Sequence, residues 1–325
     1  MYSSKDISVV IVTYNRPEEI KVALEGLKNQ KSKPYEVLVV DQSENPETKK
    51  ETEKYKKFIP RLRYLRSEIP SIAIAKNKGL KKTSKTKIVL FLDDDAALGP
   101  DYMDEIVQAY NTLDANGIFG FYDVGGYENS LLKESGFKLK EKIKSLFLLG
   151  NCNDSSFRIT SPYGNTSTFK IRKPVKAEWF PGTDPSYKKE VFKDLEFDEN
   201  FFGWSLGEDV DISYRIHKKY NGLYAIPASV SHHHPQREWT IERKIKAIYM
   251  NQINHLYLFY KDMPEMRIRF TWNLVGISLY RFLSLFNLKN SKNNYIEFEH
   301  YLRSLAYCIK NKEKIKSGDL SIPFK

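Results

Sequence analysis

The chain has 325 residues, room for two domains or one large α/β unit, and its 41% hydrophobic and 29% charged content excludes a disordered chain. With 52 Lys and Arg against 41 Asp and Glu it carries a formal charge of +11, which points to an anionic partner. Residues 236–325 hold 16 of those cations against 8 acids, so most of the basic excess sits in the tail.

Residues 7–13 (ISVVIVT) form a near-continuous β-branched run, the pattern of a strand covered on both faces. Asn15 stands three residues before Glu18 with Pro17 between them, a helix start. Ile20, Ala23, Leu24 and Leu27 then give that helix one apolar face. Residues 37–40 read as a second strand ending in Asp41, residues 62–65 as a short strand, 72–82 as a helix, and 88–92 as a strand ending in Asp93. This alternation argues for an α/β fold with a Rossmann-like, mostly parallel central sheet flanked by helices.

After Asn116 the rhythm loosens. Residues 122–182 mix Gly, Pro, Ser and Asn with a basic stretch at 133–144, and read as long loops with short strands and a helix. Helices are expected over 185–192 and 209–220; Asn221-Gly222 marks a turn before a strand at 223–226. From Glu238 onward the chain reads as helical, aromatic and basic, and no internal repeat is visible. Cys152 and Cys308 are too few and too far apart for a disulfide framework and read as free thiols. The N-terminus lacks a signal-peptide pattern, and the longest apolar stretch, 268–286, is interrupted by Arg269, Asn273 and Arg281. A cytoplasmic protein, or one peripheral on the inner face of a membrane, is expected.

The chemistry concentrates in carboxylates. In open α/β sheets ligands bind outside the carboxyl ends of the strands, and two expected strands end in acid, at Asp41 and at Asp93-Asp94-Asp95. Three successive aspartates repel one another, a cost that a divalent cation relieves; hard oxygen ligands suit Mg²⁺ or Mn²⁺ bridging a diphosphate. The competing reading is a solvated acidic turn. Gly207-Glu208-Asp209 opens the helix at 209–220, where acids favour the helix dipole or, given suitable position and pKa, act as a general base. His232, His233 and His234 before Pro235 read either as a solvated turn or as imidazole ligands that favour Mn²⁺.

Taken in order, VVIVTYNRPEEI, VLVVDQSEN, IAIAKNKGL, FLDDDAALGPDYM, PGTDPSYKKEVF, GEDVDISYRIHKKYNG and VSHHHP resemble the nucleotide-sugar glycosyltransferases of family 2, with the GT-A fold, over about residues 7–235. The resemblance implies a catalytic domain at 1–235, its first 115 residues binding the nucleotide sugar and residues 116–235 the acceptor, followed by a helical extension at 236–325. It places Thr13 and Asn15 near the nucleotide and Asp41 on the base. Lys76 and Asn77 match the family's Arg-Asn pair near the donor, with Lys in place of Arg. Asp93, Asp94 and Asp95 carry the DxD motif: Asp93 lies toward the ribose and the metal, Asp94 at the donor and Asp95 on the metal. His232 completes the metal site, with His234 in reserve. Asp209 matches the catalytic base and Glu208 its neighbour. The implied reaction is a Mn²⁺- or Mg²⁺-dependent inverting displacement from a UDP or dTDP sugar to a hydroxyl of a glycan or lipid-linked acceptor. Gln236-Arg237-Glu238-Trp239 does not match the Q-x-x-R-W motif of processive synthases, so a single addition is expected.

A sugar-1-phosphate nucleotidyltransferase shares the strand–helix rhythm, but should carry a Gly-rich loop after the first strand, and TYNRPEE has no glycine. A non-enzymatic module for anionic ligands needs the basic surface but not the acidic constellation as well. In the tail, Ile253, Leu256, Tyr257 and Tyr260, then Trp272, Val275, Leu279, Phe282, Leu283 and Phe286, recur at helical spacing. They serve either packing on the catalytic domain or an anionic membrane surface, with Arg267, Arg269, Arg281 and the lysines at 310–316 at the headgroups. Nucleic acid is not an expected partner.

Overall fold

The computed structural model describes residues 1–122, 144–150, 156–166, 171–232, 239–286 and 291–323. Strand β1 (Ile7–Thr13) is buried except at half-buried Val12, as its unbroken β-branched run requires. Helix α1 (Glu19–Lys28) buries the apolar face read from its spacing, Ile20, Ala23, Leu24 and Leu27. There follow β2 (Glu36–Asp41), α2 (Glu47–Lys54), β3 (Leu62–Arg66), α3 (Ile72–Lys82), β4 (Ile88–Asp93), β5 (Ala96–Leu98), α4 (Tyr102–Thr112) and β6 (Gly117–Tyr122). The short pair β7 (Ile159–Ser161) and β8 (Gly164–Asn165) forms its own ribbon. Then come β9 (Val175–Ala177), β10 (Pro185–Lys188), α5 (Glu208–Tyr220) and β11 (Leu223–His232).

The main sheet has nine strands, ordered β3-β2-β1-β4-β10-β6-β11-β5, with β9 also paired to β11. β3, β2, β1 and β4 are parallel, β6 and β11 run the same way, and only β10, β5 and β9 oppose them. This is the Rossmann-like, mostly parallel architecture expected. Successive β1 residues feed opposite faces: Val9 and Ile11 join the core under α1 and α4, while Val10 joins the core under α3 and α5.

Three local expectations are corrected. Residues 185–192 are not a helix: β10 is followed by a short 3₁₀ turn at Lys189–Lys193. β4 and β6 are not neighbours, and β10 fills the gap between them, Ser186 facing Leu90 on one side and Ile118 on the other. The backbone edges waiting there outweigh local propensity, and Pro185 sits at the first strand position, where a missing N–H is tolerated. β6 was hidden in the loosened region because Gly117 and Gly120 break its alternation. β11 runs past Pro227 to His232 through an irregularity between Pro227 and Val230, where a proline had suggested an end.

The tail is helical: α6 (Ile241–Asp262), α7 (Arg267–Ser284), α8 (Ser291–Lys310) and the short α9 (Lys312–Lys316). α6 docks through Ile253, Tyr257 and Leu258, which share a core with Phe201, Cys308 and Ile315. Lys261 bridges Asp198 and the buried Asp211 of α5, so the extension is pinned to the helix that begins at Glu208. α7 holds the segment 144–150: Asn273 Nδ2 donates to the Phe147 carbonyl at 2.6 Å, and Gly276 gives Phe147 room where a Cβ would meet its Cβ at 2.3 Å. The opposite face of α7 is open. Eight of the eighteen large hydrophobics exposed among the described residues fall between 268 and 286, a concentration that sets this region apart from scattered surface leucines. No helix among the described residues is long and apolar enough to cross a membrane.

Candidate functional site

The parallel register brings the acidic strand ends together. Thr13 pairs with Asp41, and Val12 with Asp93, at the carboxyl ends of β1, β2 and β4. Thr13 Oγ1 donates to Asp94 Oδ2 at 2.7 Å. Arg16 reaches Asp94 Oδ1 at 2.9 Å and also pairs with Asp95. Sequence reasoning did not single out Arg16; its place three residues after the strand, in a fold whose next strand end carries three aspartates, was the available signal. Asp94 and Asp95 are buried, and burial pushes the Asp94 carboxyl up to about 7, against the pull of Arg16 and Thr13.

Asp41 is wholly buried. It accepts from the Ser43 backbone at 2.8 Å and from the Tyr64 hydroxyl at 2.8 Å. Ser43 Oγ in turn accepts from the Asn15 backbone at 2.7 Å, and Asn15 sits at φ 53°, a left-handed position that Asn tolerates. Thr13, Asn15, Asp41 and Asp94 thus form one connected cluster around the first strand end.

Beside this cluster lies a cavity of about 290 Å³, lined among others by Lys76, Asp93, Thr183, Ser205, Glu208 and Asp209. α3 supplies Lys76, β4 supplies Asp93, and the first turn of α5 supplies both acids. Asp93 N donates to the Thr183 carbonyl at 2.8 Å, fixing that wall to the strand. Gly207 opens α5 at φ 103°, a conformation that favours glycine and aims the helix N-terminus at the cavity. Lys76 is buried and stands 3.3 Å from Glu208. Burial works against its charge, but Glu208, Asp93 and Asp209 outweigh that and hold the ammonium above its ordinary range. Burial, then the neighbouring Glu208, pushes the Asp209 carboxyl up to about 7 against the pull of Lys76. Lys76, Asp93, Glu208 and Asp209, placed at the site from sequence, therefore do converge.

Asn77 does not. Its amide donates to the Phe197 carbonyl and to Glu199, and accepts from the Phe197 backbone, all within 3.0 Å. It is a clamp on the 197–199 loop and is not among the residues lining the cavity. The helical period explains this: its neighbour Lys76 faces the cavity, and consecutive helix residues cannot share a face.

His232 ends β11, with its backbone paired to Ala96, one residue beyond Asp95. Its side chain, and His233 and His234 entirely, lie outside the described residues. Among the described residues no three His, Cys, Asp or Glu side chains form a group that could hold a metal ion. In chemistry the residues present fit a divalent cation: Asp93 and Asp95 offer hard carboxylates, and β11 brings the His232 backbone beside Ala96. Arg16 stands on Asp95 and would have to yield that contact.

Residues 8–165 match the model of glycosyl transferase family 2. Over 133 residues, 40% of this chain, the sequence is 30% identical to the poly(ribitol-phosphate) beta-N-acetylglucosaminyltransferase TarP of Staphylococcus aureus. Over 226 residues, 68% of the chain, it is 26% identical to the GalNAc(5)-diNAcBac-PP-undecaprenol beta-1,3-glucosyltransferase of Campylobacter jejuni. These matches span 40% and 64% of the two relatives, under two thirds of each. Among solved structures, S. aureus TarS 1-349 in complex with UDP-GlcNAc superposes with a TM-score of 0.52 at 13% identity, over 97% of this chain and 88% of that one. The mannosyltransferase PcManGT of Pyrobaculum calidifontis, in complex with GDP-Man and Mn²⁺, gives 0.52 at 16% identity, over 95% and 76%. At such identities the likeness is one of fold.

Proposed function

We propose that this chain, whose residues 8–165 match glycosyl transferase family 2, moves one sugar, with inversion and without processive addition, from a nucleoside-diphosphate sugar to a hydroxyl of a glycan or lipid-linked acceptor. The observation that carries this reading is the convergence of Lys76, Asp93, Glu208 and Asp209 on one cavity at the carboxyl ends of the strands. The names of the two relatives, sugar transferases for poly(ribitol-phosphate) and for an undecaprenol-linked glycan, support an acceptor of this class.

Asp209 takes the proton of the acceptor hydroxyl, and a carboxyl near pKa 7 suits a base working close to neutrality. Glu208 keeps Lys76 charged, and Lys76 offsets the negative charge that develops on the departing diphosphate. Thr13, Asn15 and Asp41 order the loop that receives the nucleotide, a UDP or dTDP moiety in this reading. Asp93, Asp95 and His232 would hold Mn²⁺ or Mg²⁺, which supplies Lewis-acid neutralisation of the diphosphate when bound. PcManGT, in complex with GDP-Man and Mn²⁺, shares the fold and supports this assignment.

The open face of α7 completes the proposal. α7 carries no acid and three arginines, of which Arg281 pairs with Glu297 of α8 at 2.8 Å; Arg267 and Arg269 would oppose like charges between two copies meeting there, whereas an anionic bilayer complements them. We assign this face to an anionic membrane surface, where a lipid-linked acceptor resides. The central test is a panel of nucleotide sugars with and without Mn²⁺, reading nucleoside-diphosphate release. Release that persists unchanged in Asp209→Asn with an acceptor present refutes the base assignment.

A further inference from the structure

The loop that leads into α5 holds a polar group without a protein partner. Gly203, Ser205 and Gly207 all lie at positive φ, 75°, 28° and 103°, and Ser205 is the one non-glycine among them. The loop is pinned on both sides: the Ile72 backbone donates to the Gly203 carbonyl at 2.9 Å, and Asn254 Nδ2 donates to the Leu206 carbonyl at 2.8 Å. On its outer side Trp204 packs on Trp239 at 5.3 Å, with Arg243 over both rings. Ser205 is 5% exposed, lines the cavity, and its Oγ makes no hydrogen bond among the described residues.

A buried hydroxyl without a partner costs desolvation with no return, and a serine held in a sparsely populated backbone region costs more than a glycine there. Both costs fall on one residue, in the wall of a cavity whose other walls carry Lys76, Asp93 and Asp209. We propose that Ser205 Oγ is a sugar-binding group, hydrogen-bonded to a ring hydroxyl or other polar substituent of the donor's own sugar. A hydroxyl can both donate and accept, so it matches a sugar hydroxyl in either sense. The donor sugar is the occupant because Lys76, assigned to the diphosphate, opens on the same cavity, and the group joined to that diphosphate extends into it. The inference rests on the nucleotide-sugar reading above and adds a residue that discriminates the sugar from the bare nucleotide.

The test is calorimetric titration of the full chain with UDP, UDP-glucose and UDP-N-acetylglucosamine, with Mn²⁺ present throughout. For Ser205→Ala the affinity for UDP is expected to stay within about twofold, while that for the preferred nucleotide sugar falls about threefold to tenfold, the range of one lost hydrogen bond. Ser205→Gly removes the hydroxyl and the backbone strain together, so it should show the same loss of sugar affinity without a lower Tm. Unchanged nucleotide-sugar affinity in both variants, or equal losses for UDP and the nucleotide sugar, overturns the assignment while leaving the transferase reading intact. Wild-type protein that binds neither UDP nor either nucleotide sugar overturns both.

Discussion

Lys76 Nζ lies 3.3 Å from Glu208 Oε1, an ion pair that joins α3 to the first turn of α5 with both side chains less than a tenth exposed. The two residues are 132 positions apart in the chain and both line the cavity. Breaking one member of a buried pair leaves an uncompensated charge and costs about 3–5 kcal/mol. Lys76→Met should therefore lower the Tm measurably in thermal denaturation, and Lys76→Met combined with Glu208→Gln should recover most of that loss. Equal Tm values for the single variant and the wild type would show that the pair does not hold the helices.

Asp209 couples stability to pH. Its folded-state pKa of about 7 lies above that of an unfolded aspartate, so the folded state keeps its proton longer. That contribution is fully present below about pH 4 and is lost as pH rises through about 7. Asp209→Asn should raise the Tm at pH 8 and leave it nearly unchanged at pH 4. The same substitution should cut transfer by about a hundredfold or more. In the wild type, kcat/KM should fall on the acid side with an apparent pKa near 7, and Lys76→Met should shift that limb to higher pH by removing the cation that opposes the rise.

Arg16 pairs with both Asp94 and Asp95. Arg16→Gln should remove the cation that offsets Asp94 and Asp95, lower the Tm in EDTA, and make the protein gain more from Mn²⁺ than the wild type does. A Tm increment from Mn²⁺ that is absent in Asp95→Asn would place the cation on that carboxylate. An increment retained in full would place it elsewhere.

The α7 face should read out on vesicles. Ile268 is 85% and Phe286 69% exposed, at opposite ends of an apolar stripe that also includes Leu279 and Leu283. The protein is expected to co-sediment with phosphatidylglycerol vesicles, less so as salt rises, and only weakly with phosphatidylcholine. Leu279→Glu with Leu283→Glu should weaken that binding about tenfold or more while leaving nucleoside-diphosphate release in solution unchanged. Binding that survives the double substitution, or a concentration-dependent dimer that it abolishes, would assign the face to a different occupant.

Much of the site was legible because its ingredients are local. An unbroken β-branched run marks a doubly covered strand, and acids at its end mark the lip of the sheet, so Asp41, Asp93 and the acids of α5 could be placed without coordinates. Asn77 was misplaced because a motif carries residue identities but not the direction of each side chain around a helix. β10 was read as a helix because its strand character comes from two backbone edges that lie far away in sequence.

The sequence by itself determined the four parallel strands β1–β4, where the carboxylates fall and which helix face of the tail is apolar, since all of these depend on spacing within a few residues. Only the tertiary structure decided that Arg16 neutralises two of the three aspartates, that Lys76 meets Glu208, and that Ser205 enters the cavity with an unpaired hydroxyl. Those facts depend on tertiary neighbours: β1 lies directly beside β4, which brings Arg16 to Asp94 and Asp95, and α3 meets the first turn of α5, residues far apart in the chain.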